Sequence, residues 1–172
     1  MKKQRHSQDT VFGSARLLFA LGILVCMTLI GYWIMANANS FERIQIVRDG
    51  AVVASFEVEL MATPEQRTQG LSGRERLPEG RGMLFLFPYA ANYAMWMYDM
   101  KFSLDFIFFD NDRVAVHIVE NEPPCVPGQS CRSIYPGRAV RYVLEVPAGT
   151  VAKHGIRLGD QLILPESLPE VF

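Results

Sequence analysis

Two carboxylates, Asp99 and Asp105, interrupt a stretch made mostly of rings, thioethers and aliphatic carbon, YAMWMYDMKFSLDFIFFD at residues 93–110. Asp105 stands directly before Phe106–Phe109, a run expected to be buried on both faces. An ionised carboxylate entering such a place needs partners, or its pKa moves. If residues 93–98 and 104–109 form a hairpin with Tyr98 opposite Leu104, one face collects Trp96, Tyr98, Leu104, Phe106 and Phe108. The other face collects Met97, Asp105, Ile107 and Phe109, with Asp99 near the same mouth. Two carboxyls at one end of a sheet suit acid–base work of the glycosidase kind. The structural alternative is that Asp105 accepts backbone N–H groups of the 99–103 loop and pins it. Because burial favours a satisfied carboxylate, the pin is the expectation.

A second polar set is Glu145 in VLEV with Arg138, Arg141 or Arg74 as an ion-pair partner. Glu145 shares a strand face with Val143, and a buried Arg–carboxylate pair usually fixes geometry. Arg74, Trp96, Asp105, Glu120 and Glu145 are the candidate ligand- or partner-binding residues. Asp99, Asp105 and Glu145 are the weak catalytic candidates. Tyr93, Trp96 and Tyr98 could floor a sugar site, although alternating beside Met and Phe they read as core. His117 reads as a packing residue and His154 as a helix C-terminal partner. No Gly-x-Ser-x-Gly elbow, phosphate loop or His-Glu-x-x-His occurs, so no cofactor and no metal is expected.

The elements that would position these residues follow from periodicity and turn chemistry. RIQIVRDGAVVASFEVELM reads as a hairpin turning at Asp49-Gly50, which suits a type I′ turn. Thr63, Pro64 and Gln66 form a capping-box start for a helix of one or two turns that Gly70 stops. Strands are expected at 83–87, ended by Pro88, at 93–98 and at 104–109. Further strands are expected around 113–121, through Val146, and at 160–165, with a helical turn before Gly155. Many short strands with two scraps of helix indicate an all-β sandwich or barrel.

The N-terminus has a different character. Leu17–Met35 is nineteen residues without a charge, long enough to cross a bilayer. Lys2, Lys3, Arg5 and Arg16 against Asp9 leave the preceding flank at +3, which retains it in the cytoplasm. A single-pass anchor is one reading, and Tyr32 and Trp33 fit its interfacial belt. Cleavage after Ala36-Asn37-Ala38, with secretion, is the other. Either delivers the rest of the chain across the inner membrane, to the periplasmic side. The organisation is then 1–16 cytoplasmic, 17–35 membrane, 36–42 linker, 43–164 β-domain and 165–172 a Pro-rich tail. Subtracting +3 from the overall −1 leaves −4 for the exported part, which disfavours nucleic acid. Cys125 and Cys131 bracket a Pro/Gly loop and are expected to form a disulfide in an oxidising compartment.

The blocks QRTQGLSGR, GMLFLF, WMYDMKFSLDFIFFD, ENEPPC with a second cysteine, and YVLEVPAGTVAKHGIRLGDQL resemble one family in their order and spacing. It is the bacterial and archaeal domain of unknown function 192, matched over 43–164. The resemblance implies a compact, exported, jelly-roll-like β sandwich and brings no settled activity. Family members commonly carry lysine, asparagine and proline where this chain has Tyr98, Asp99 and Ser103. The function expected is a membrane-anchored binding or interaction module, such as an accessory subunit of a membrane complex. The alternatives are an envelope carbohydrate hydrolase and a small-ligand or sugar-binding protein.

Overall fold

The structure, a computed structural model, describes residues 26–28, 41–126, 128, 130–166 and 168–171. Residues 26–28 are helical and exposed; the rest of the expected membrane segment and the Ala38 cleavage site lie outside the described residues. Among the described residues no helix is long and apolar enough to cross a membrane. Ser40–Phe172 form a unit of their own.

That unit contains β1 (Phe41–Arg48), β2 (Ala51–Met61), α1 (Pro64–Gln69), β3 (Arg81–Ala91) and β4 (Leu104–Phe109). It continues with β5 (Ala115–Glu122), β6 (Val140–Pro147), α2 (Thr150–His154) and β7 (Gln161–Ile163). The all-β expectation holds. The strands join in one sheet, ordered β5-β4-β6-β3-β2-β1-β7, rather than in the two sheets of a sandwich. Its two ends approach each other: Val114 bridges Gln161, and the Leu162 N–H donates to the Arg113 carbonyl at 2.9 Å. Arg48 secures this closure by forking onto Asp160 at 2.7 and 2.8 Å. A bidentate guanidinium–carboxylate pair holds orientation as well as distance.

Local chemistry explains the elements read correctly from sequence. Asp49 and Gly50 both take positive φ, as the hairpin between β1 and β2 requires. Thr63 and Gln66 form the reciprocal capping box of α1, and the Gly70 N–H closes its end onto the Gln66 carbonyl. Pro88 does not end its strand as expected. It sits inside β3 where pairing with β6 lapses between Leu86 and Ala91, so its missing N–H is not needed.

The closed sheet has a core on each side. Inside lie Ile44, Phe56, Leu84, Ile107, Leu144, Leu162 and their neighbours, drawn from every strand. Outside, Met83, Phe85, Phe106, Phe108 and Val143 are covered by residues of irregular segments, among them Leu71, Leu77, Met95, Met97 and Ile134. Strand β4 is therefore buried along its whole length.

The expected hairpin between 93–98 and 104–109 does not form. β4 lies between β5 and β6, while residues 93–98 cross the outer face with one bridge, Met95 to Ile134. Asp105 points inward, fully buried, and is a structural pin with other partners than expected. Its Oδ1 accepts the Asn121 N–H at 2.8 Å and its Oδ2 the Val151 N–H at 2.8 Å. Asn121 has φ 56° at an irregularity of β5, and Val151 lies in the first turn of α2, whose N-cap Gly149 offers no side chain. One carboxylate thus caps a helix and holds a bulge.

Asp105→Ala is expected to lower the unfolding free energy by about 2–4 kcal/mol in denaturant titration, since the buried Val151 N–H and the part-buried Asn121 N–H lose their acceptor. The amides of Asn121 and Val151 should also lose hydrogen-exchange protection. A change within about 0.5 kcal/mol would instead mean that the carboxylate serves something other than the fold.

Candidate functional site

The segments that cover the outer face do not close over it completely. Between α1 and residues 94–100 they leave a cleft of about 230 Å³, lined by Arg67, Leu71, Phe85, Phe87, Met95, Trp96, Met100 and Glu145, with Thr68, Gln69 and Ser72 at its side. It continues past Trp96 into a broader groove of about 810 Å³ that reaches Tyr98, Cys131 and Ser133. Trp96, Thr68, Gln69 and Ser72 border both.

Glu145 stands on β6 between Met83 of β3 and Phe106 of β4, all three on the outer face. It is 4 % exposed; burial and the Arg74 charge act on its carboxyl, which is not among the sealed side-chain atoms left without a partner. Burial pushes its pKa up to about 8 from 4.5, with the Arg74 charge pulling the other way. Arg74 does not bond Glu145. It forks onto Glu59, Nη2 to Oε2 at 2.8 Å, and its pKa is raised first by that hydrogen bond. Glu59 pairs with Met83 on the other flank, so the two acids lie two strand spacings apart, about 10 Å at the backbone. Arg74 neutralises one of them and only biases the other.

Local contacts of α1 and its loop open the cleft. Gly70 takes φ +48°, and a Cβ there would come within 3.3 Å of the Phe85 ring. Arg67 is held over Phe87 at 5.3 Å, donating to the Ala62 and Leu86 carbonyls at 2.6 and 3.0 Å. Tyr93 stacks on the same Phe87 at 3.7 Å. These contacts set the width between α1 and the crossing segment.

The structure brings Glu145 and Trp96 together at the cleft and Arg74 beside Glu145. Asp105 faces the other side of the sheet, paired with Val146. Asp99 is exposed at φ 52°, its carbonyl accepting the Gly73 N–H at 2.9 Å. It does not face Asp105, whose oxygens serve the fold. Glu120 is exposed on β5; Arg138 is exposed, and Arg141 donates to the Phe87 carbonyl. Cys125 and Cys131 are joined, with Cα atoms 5.3 Å apart. The aromatic faces are the reverse of the expected ones: Trp96 is 43 % and Tyr98 66 % exposed, whereas Met95 and Met97 are buried. Glu59 went unrecognised because its alternation with Phe56 and Val58 marks a wet face. At that end of β2 the outer face is covered.

A profile of the DUF192 family, described as an uncharacterized ACR, matches residues 44–164. No curated protein matches. Among solved structures, a candidate transcription regulator from Sinorhizobium meliloti 1021 superposes with a TM-score of 0.66 at 34 % identity, over 73 % of this chain and 95 % of that one. A protein of unknown function from Novosphingobium aromaticivorans DSM 12444 superposes with a TM-score of 0.64 at 26 % identity, over 72 % and 84 %.

Glu145 makes stability depend on pH in a definite direction. Between about 4.5 and 8 the folded chain keeps a proton that the unfolded chain has released. The stabilisation is complete below the lower value, declines as pH rises, and is gone above the upper one. The slope contributed is at most about 1.4 kcal/mol per pH unit. Glu145→Gln is expected to remove this slope in urea titrations across pH 5–9, and an unchanged slope would place the titration elsewhere.

Proposed function

Because the chain belongs to the DUF192 family, whose description assigns no activity, we propose a function from the cleft itself: a binding module for a small molecule. The observation that carries this reading is Glu145, a largely buried acid lining an open recess, its pKa raised by burial while the nearby Arg74 is bonded to Glu59. Apolar recesses with a few polar groups at fixed positions are the usual form of small-molecule sites, and a ligand that bonds Glu145 compensates its desolvation. An accessory-subunit role calls for a broad partner-facing surface, and the recess suits a small ligand better. The hydrolase reading draws little support. Glu59 is locked by Arg74 and Asp105 by backbone N–H groups, which leaves Glu145 without a second free acid beside it.

The module is proposed to work outside the cytoplasm, held at the inner membrane by residues 17–35, with release after Ala38 as the alternative. The uncharged nineteen-residue stretch and its basic flank support export, and the Cys125–Cys131 disulfide agrees with an oxidising compartment. The domain is proposed to be a barrel-like member of the expected jelly-roll-like sandwich-or-barrel class, supported by the approach of β5 and β7 at the two ends of its single sheet.

The intact chain, purified in mild detergent, would be screened against a fragment library by saturation-transfer NMR. Hits are expected that disappear in Ala94→Phe, which fills the cleft. Hits indifferent to that substitution, or none, would remove the cleft as a ligand site. Alkaline washing of membranes separates the two modes of attachment, since an anchored chain stays in the pellet and a cleaved one is released.

A further inference from the structure

The groups around Glu145 restrict the charge its ligand can carry. From the segment after α1 comes Arg74, already joined to Glu59 of β2; from α1 comes Arg67, held by two carbonyls. The other cleft walls are Leu71, Phe85, Phe87, Met95 and Met100, with the uncharged Thr68, Gln69 and Ser72 at the side. An organic cation entering would meet Arg67 inside the cleft and Arg74 next to its floor. An anion would find both guanidinium groups already engaged, Arg67 by two carbonyls and Arg74 by Glu59. An uncharged molecule with hydroxyls meets neither obstacle, and finds a carboxyl below and amide and hydroxyl groups beside it.

The shape points the same way. At about 230 Å³ the deep part is smaller than the roughly 300–1,000 Å³ of drug-sized sites, so it admits one ring rather than a large ligand. Trp96, half-exposed, is a wall shared with the long groove, where Tyr98, Gln69, Ser133 and the acidic Glu65 of α1 follow. Indole faces attract the C–H side of a ring whose hydroxyls lie at its edge.

Resting on the reading of this cleft as a ligand site, we propose that it binds an uncharged carbohydrate, one pyranose ring against Trp96 with a hydroxyl on Glu145 and any further sugars along the groove. Glu145 acts there as a neutral acid, able both to donate to and to accept from that hydroxyl. Burial already holds it protonated at pH 7, and a ligand that excludes water holds it so more strongly. Arg74 opposes this shift but is spent on Glu59. Linkage then requires affinity to be highest below about pH 8 and to fall above it.

The test uses the full chain in detergent and saturation-transfer NMR titrations with uncharged mono- and disaccharides, namely glucose, galactose, mannose, N-acetylglucosamine and their β-1,4 disaccharides. Tetramethylammonium and acetate are the charged comparisons. At least one saccharide is expected to bind, with affinity falling above pH 8. Trp96→Ala, at an exposed position, should weaken it about tenfold, and Glu145→Gln, which copies the neutral acid, should retain it and abolish the pH dependence. Binding of tetramethylammonium with no saccharide, and its loss in Glu145→Gln, would overturn the carbohydrate assignment while leaving a ligand site. Fragments that are excluded by Ala94→Phe, with no saccharide bound, would do the same. Absence of every ligand would overturn the site reading itself.

Discussion

Strands β3, β4 and β6 must be kept from water on both faces. Their sequences offer Leu84, Ile107 and Leu144 to the barrel interior, and Phe85, Phe106, Phe108 and Val143 to the outside. An antiparallel sheet normally leaves one side wet, but no polar alternation is available here to do so. The outer apolar surface therefore has to be covered by chain that is neither strand nor long helix. That demand fixes the role of α1, of the loop from Leu71 to Leu77, and of the segment carrying Met95 and Met97. A cover made of short irregular pieces fits less tightly than a second sheet would. The cleft between α1 and residues 94–100 is the place where it does not meet.

The same two-sided burial explains what happens to the acids. Asp105, Glu59 and Asp160 are nearly inaccessible, and each is matched: by two backbone N–H groups, by the Arg74 fork, and by the Arg48 fork with the Arg157 N–H. These pairings tie segments far apart in sequence, and two of them secure the ends of the curved sheet. Glu145 is in a similarly dry place, and burial raises its pKa. Arg74 is close enough to influence it electrostatically, yet its hydrogen bonds go to Glu59.

Local rules recovered what local rules decide. The turn at Asp49-Gly50, the capping box at Thr63, the turn ending at Gly155 and the disulfide are settled within a few residues of sequence. The interior face of each main strand follows from period two. What escaped was decided between distant segments. Residues 93–98 have the alternation of a strand, but the neighbours they needed were already taken, because β6 arrives from forty residues later to pair with β4. Released from a ladder, the segment turns its methionines down and its aromatics outward. Polarity alone would not have shown this, since Met and Trp are both credible core residues. Glu59 escaped for a related reason: alternation reports which face a side chain is on, not whether a remote loop covers that face.

The contrast between Glu145 and the three matched acids bears on how the cleft should be understood. A fold that only needed to fill the space between Met83 and Phe106 would be served at least as well by an apolar residue, which carries no desolvation cost. Arg74 does not need Glu145 either, being fully engaged with Glu59. The strand register explains where Glu145 points, and the covering segments explain why water is scarce around it, but neither accounts for a carboxyl there. Departures from local consistency of this kind concentrate at functional sites. Among the described residues, the opening beside Trp96 is what gives this acid something to meet.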